Sequence, residues 1–197
     1  MPVKIFLFLI IISFPVNAHT FTGMIGYYDG LSHPVLGIDH FLAMVSVGIV
    51  SVQIGGRAIW TVPGTFVVMM IIGGILGMVA EIFLFNFTEL LILLVEIGIT
   101  LSVILLGLAI AIGKKLSLLL TMFFVCIFGI CHGSAHGMEM PWAVNPILFA
   151  LGFASGTTIL HLFGVGIGSI FIKSKFTNIL LRFLGLSCAV YGISFFF

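Results

Sequence analysis

The chain has 197 residues, of which 61% are hydrophobic and 7% charged, with a formal net charge of +1 and a mean hydropathy of +1.40. Soluble domains carry about 25% charged residues, so this composition excludes an ordinary water-exposed surface. A near-neutral charge with no basic patch likewise excludes a nucleic-acid-binding face. Cys126, Cys131 and Cys188 all lie in apolar runs; an odd number makes a poor disulfide framework, and they read as small buried hydrophobes.

Residues 1–18 read as a secretory signal peptide: Lys4, then the apolar run Ile5 to Ile12, then Val16-Asn17-Ala18 with small residues where a signal peptidase cleaves. The alternative is an uncleaved signal-anchor helix, but the run is short and Pro15 interrupts it. Cleavage after Ala18 makes His19 the mature N-terminus, outside the cytoplasm, with a free α-amine beside its imidazole.

Residues 19–197 divide into six apolar stretches bounded by turn or charged residues: Pro34–Gln53, Trp60–Ala80, Glu89–Ile112, Leu116–His136, Pro146–Ile172 and Asn178–Phe197. Each is about twenty residues or more, enough to cross a ~30 Å hydrocarbon layer as a helix. Backbone facing lipid must satisfy its own hydrogen bonds, so helices are expected rather than strands. The fold expected is all-α: a polytopic bundle of six transmembrane helices after a cleavable signal peptide, with no soluble domain.

A translocated N-terminus makes the linkers alternate. Those expected inside hold Arg57, Lys114, Lys115, Lys173 and Lys175, with Arg182 just beyond. Those expected outside (19–33, 81–88 and 137–145) hold no Lys or Arg, but contain Asp29, Glu81 and Glu139. This asymmetry is what the positive-inside rule demands. Both mature termini are then expected outside a bacterial cytoplasmic membrane.

That orientation places His19, His33, His40, His132 and His136 near the outer face. Pro34 suits a first helical position, so His33 is expected at a helix entrance with His40 two turns below. Seven residues advance about 700°, putting both imidazoles on one face. Asp39 either ligates from the side or holds an imidazole as a hydrogen-bond acceptor. The second cluster is Cys131-His132-Gly133-Ser134-Ala135-His136-Gly137-Met138-Glu139. His132, His136 and Glu139 share one face if the helix persists, and Gly133 and Gly137 allow another helix close. Imidazole with carboxylate suits nickel, cobalt, zinc or iron(II) better than calcium or magnesium.

Other features have plainer readings. His161, in mid-span, reads as an interhelical hydrogen-bond partner or as a deeper ligand. Glu96 either lines a route below the outer site or pairs with a histidine. The glycine runs at 73–77 and 164–168 read as packing surfaces rather than phosphate loops. The phenylalanines read as lipid-facing bulk, and the methionines are too scattered for a copper relay.

The two histidine motifs resemble those of the HupE/UreJ family of secondary nickel and cobalt permeases. The first family motif, a histidine, five residues and Asp-His, is matched by His33 through Asp39-His40. The second, Phe-His-Gly-x-Ala/Val-His-Gly-x-Glu, is matched from His132 to Glu139, with Cys131 replacing the phenylalanine. That position reads as packing, with little effect on function; the alternative is a thiolate beside the site that alters metal preference. The resemblance runs over the whole chain and implies His33, Asp39, His40, His132, His136 and Glu139 as functional residues. It further implies nickel or cobalt as transported ion rather than prosthetic group, and no enzymatic activity.

Without a Gly-x-x-x-x-Gly-Lys-Ser/Thr loop, no nucleotide drives transport from this chain. A site that holds the ion weakly and hands it on is expected, with His40, Glu96 and His161 as stations. The expected partners are a divalent ion and the lipid bilayer, with no nucleic acid; a metallochaperone or a second copy of the chain is not readable. Two rival readings are a haem-binding electron carrier, which places histidines in facing pairs near mid-membrane, and an intramembrane serine protease using Ser134 or Ser155.

Overall fold

The computed structural model describes residues 26–83, 88–113, 116–140 and 144–196. The proposed signal peptide and His19 lie outside them. The described residues form seven helices and no strand: α1 (Tyr27–Leu36), α2 (Ile38–Ile54), α3 (Ala58–Phe83), α4 (Thr88–Ile112), α5 (Leu118–Glu139), α6 (Pro146–Phe171) and α7 (Lys175–Ser194). Helices α3 to α7 are each long and apolar enough to span a membrane, and α1 with α2 form a sixth candidate span broken by 85°. Large apolar side chains such as Ile75, Leu94, Phe163 and Phe183 face outward, as a lipid-immersed bundle requires.

The break corrects the expected first span. Pro34 does not open a helix; it lies inside α1, which begins after Gly26. There Asp29 accepts a hydrogen bond from the Gly26 amide at 3.2 Å, which starts the helix early. The chain then turns at Gly37, whose backbone is extended, and α2 begins anew. A Cβ at Gly37 would lie 3.0 Å from both Asp39 Oδ1 and His40 Nδ1, so the turn leaves room only for glycine without displacing that pair. His33 and His40 therefore sit on two helices, not on one face of a single helix.

Small residues set the packing, as the glycine runs implied. On α5, Gly129, Gly133 and Gly137 recur every fourth residue and bring that face onto the α3 backbone at Phe66, Met70 and Gly74. In return, Gly73 and Gly77 of α3 lie against Ile130 and Ser134 of α5. The order of these contacts makes α3 and α5 parallel. Along α6, Gly152 and Gly156 meet α1 at Tyr27 and Leu31, while Gly164 meets α2 at Val45. Without a hydrophobic drive between helices in lipid, such close backbone approach supplies the dispersion contacts that hold a bundle together. Helix α7 runs antiparallel to α4, with Gly185 and Gly192 against Gly107 and Ile104.

This topology gathers imidazoles at one end and cationic side chains at the other. His33, His40, His132 and His136 lie toward the ends of α1, α2 and α5 that meet near the start of α6. Arg57 precedes α3, Lys173 and Lys175 join α6 to α7, and Arg182 donates to the Ile112 carbonyl at the far end of α4 (2.7 Å). The three cysteines are free and half-buried rather than fully buried.

Candidate metal-capture site

Four imidazoles from three helices converge. His136 of α5 touches His33 of α1 and His40 of α2, with ring centroids 4.5 and 4.6 Å apart. His40 also contacts His132, one turn deeper on α5, at 5.0 Å. The 85° turn makes this possible: it brings His33 in from α1 and His40 from α2 toward the same α5 face.

The hydrogen bonds fix which nitrogens remain open. A carbonyl oxygen only accepts, so His132 Nδ1–H donates to the Phe128 carbonyl (2.8 Å). Asp39 Oδ1 accepts from both the backbone amide and Nδ1 of His40, at 2.8 and 2.9 Å. Of the two roles expected for Asp39, this is the acceptor that holds an imidazole. In each ring the proton sits on Nδ1, leaving an unprotonated Nε2, the tautomer a metal ligand needs. Nε2 of His40 and of His132, and both nitrogens of His136, are buried with no hydrogen-bond partner among the described residues. Each such orphan costs about 1–3 kcal/mol, and a dication accepting their lone pairs removes that penalty.

Aromatic rings close the chamber. Phe153 of α6 lies 4.3 Å from His136, and Phe149 and Phe153 both face His33 at 6.0 and 6.2 Å. Phe66 of α3, completely buried, contacts His132 at 5.3 Å. These residues correct the reading of phenylalanine as lipid-facing bulk, and sequence reasoning missed them. The i,i+4 spacing of Phe149 and Phe153 at the start of α6 was a usable signal, whereas Phe66 had none. A groove of about 420 Å³ between α3, α5 and α6 reaches His136 past Met70, Met78 and Met140.

The remaining predicted residues lie elsewhere. Helix α5 does persist to Glu139, whose side chain lies outside the described residues. Glu96 is exposed on α4. His161 is fully buried in α6, where its Nδ1–H donates to the Met44 carbonyl of α2 (2.8 Å), the interhelical partnership expected of it. Among the described residues no group of three or more His, Cys, Asp or Glu side chains is arranged to hold a metal ion; the imidazoles meet mostly edge to face.

The rival readings fare worse. Ring centroids only 5.0 and 4.6 Å apart leave no slot for a planar macrocycle between His40 and His132 or His136. Ser134 donates to the Gly73 carbonyl (3.1 Å) and Ser155 to the Leu151 carbonyl (2.7 Å), so both hydroxyls are spent on backbone.

Fold and site together define a polytopic, all-helical membrane protein with a buried imidazole cluster at one end of its bundle. The HupE / UreJ protein family matches residues 7–195. Protein HupE of Rhizobium leguminosarum bv. viciae is 37% identical over 169 residues, covering 85% of this chain and 84% of the relative. The chain belongs to the HupE/UreJ family and is thereby a membrane transporter of permease type. No solved structure matches it.

Proposed function

We propose that this protein imports a divalent transition metal, nickel or cobalt, across the bacterial cytoplasmic membrane, capturing it from outside with His33, His40, His132 and His136. Asp39 orients His40, and Glu139 and His19 are further candidate ligands. The observation that carries the reading is the convergence of these imidazoles, with Nε2 of His40 and His132 and both nitrogens of His136 buried without a hydrogen-bond partner among the described residues. Neutral imidazole prefers such ions to calcium or magnesium.

The positive-inside rule supports an outward-facing histidine end, since the cations gather at the other. Inward movement of a dication gains roughly 4.6 kcal/mol per 100 mV, at ~2.3 kcal/mol per charge. Facilitated diffusion therefore suffices, and the chain performs no chemical reaction on its cargo. In reconstituted vesicles, an inside-negative potential accelerates nickel or cobalt accumulation without ATP. Entry that ignores imposed voltage would contradict the mechanism.

A further inference from the structure

The imidazole cluster is a mouth, and a permease needs a way onward from it. Directly beneath His132 lies the ring of Phe66, and beneath that ring lies His161. Phe66 contacts both imidazoles, with ring centroids 5.3 Å from His132 and 5.1 Å from His161. No solvent reaches Phe66, and His161 is only 1% exposed.

His161 carries one nitrogen more than its structural bond needs. Nδ1–H ties α6 to α2 through the Met44 carbonyl. The close approach of Gly48 and Gly164 between these helices brings that carbonyl within reach. Any short side chain with an N–H or O–H donor would serve the same tie. The imidazole instead adds an unprotonated Nε2, buried without a hydrogen-bond partner among the described residues, which is unfavourable unless something periodically occupies it.

His161 also borders open space. A groove of about 340 Å³ runs along the outside of the bundle between α3 and α6, lined by His161 with Trp60, Pro63, Gly64, Thr158 and Val165. It lies toward the Arg57 end of α3, away from the outer histidines. Gly64 is exposed in that groove, where an added Cβ would meet nothing within 4 Å.

We propose that His161 is an inner, single-imidazole station for the transported ion, divided from the outer cluster by the ring of Phe66. The inference rests on the permease reading above and adds the route. The Phe66 ring keeps His132 and His161 from sharing one ion, so the metal passes in two steps instead of settling in a cage. One neutral nitrogen holds a dication weakly, which suits a step that must release it.

The test separates binding from passage. His161→Asn keeps an N–H donor near the Nδ1 position for the Met44 carbonyl, but lacks Nε2. With nickel and cobalt chloride as probes, equilibrium binding by the purified protein and voltage-driven uptake into vesicles are measured for wild type and variant. The expected result is unchanged binding at the outer cluster with uptake lowered about tenfold or more, the scale of losing one metal partner. Wild-type uptake by His161→Asn overturns the station, and so does an equal loss of binding and uptake, which marks a purely structural tie. A wild-type protein that accumulates neither ion overturns the permease reading itself, and with it the station.

Discussion

The imidazoles of His40 and His136 lie with their ring centroids 4.6 Å apart, yet no hydrogen bond joins them. His40 spends Nδ1 on Asp39, and His136 spends neither nitrogen among the described residues. Two buried, unspent bases in contact are unfavourable unless both serve one guest.

If they do, their effects on affinity are not independent. His40→Ala and His136→Ala each lower nickel affinity, and the double variant loses less than the sum. The coupling expected of partners in one network is about 0.5–3 kcal/mol. Binding isotherms for the four proteins measure it, and strictly additive losses rule out a shared site.

Asp39→Asn tests the orientation of His40. An amide carries no charge and can present its NH2 group instead of an oxygen, so the proton is no longer held on Nδ1. Affinity falls about 10–100-fold, as for other partners behind a metal ligand. The fold is retained, because Asp39 is partly exposed and its side-chain bonds join only the adjacent residue. Affinity equal to wild type, read by competition with a chromophoric chelator, would assign Asp39 no role in capture.

Glycines of the bundle differ sharply in what they tolerate. A Cβ at Gly133 would fall on the Met70 carbonyl, so Gly133→Ala separates α5 from α3 and displaces His132 with it. Overpacking of this kind costs roughly 1–3 kcal/mol, a fall in Tm of roughly 2–12 °C for a chain of this size. Gly64→Ala meets nothing and leaves Tm unchanged or slightly raised. Thermal melts in detergent compare them, and equal Tm values would show that the α3–α5 contact is not close in solution.

We also expect removal of residues 1–18, leaving His19 with an amine and an imidazole able to chelate together. Intact mass of the membrane-extracted protein decides this directly. A mass that includes Met1–Ala18 eliminates both the processing and the chelate.

Composition and run length alone determined a helical membrane bundle, because lipid offers backbone no other partner. The spans expected from Trp60 onward differ from the helices by only a few residues at each end. The i,i+4 spacing of His132 and His136 also carried over, since local periodicity survives wherever the helix does. The geometry of His33 and His40 was not legible: a seven-residue spacing implies one face only on an unbroken helix, and Gly37 breaks it. Whether a proline begins a helix or lies within it depends on what precedes it, here the Gly26–Asp29 start. Phe66 was invisible for a related reason. Its chemistry is that of the phenylalanines facing lipid, and only the approach of α3 to α5 at Gly129 and Gly133 turns its ring inward between two imidazoles. Periodicity resides within one helix, whereas a site shared by α1, α2 and α5 and floored by α3 exists only once glycine-lined faces have brought those helices together.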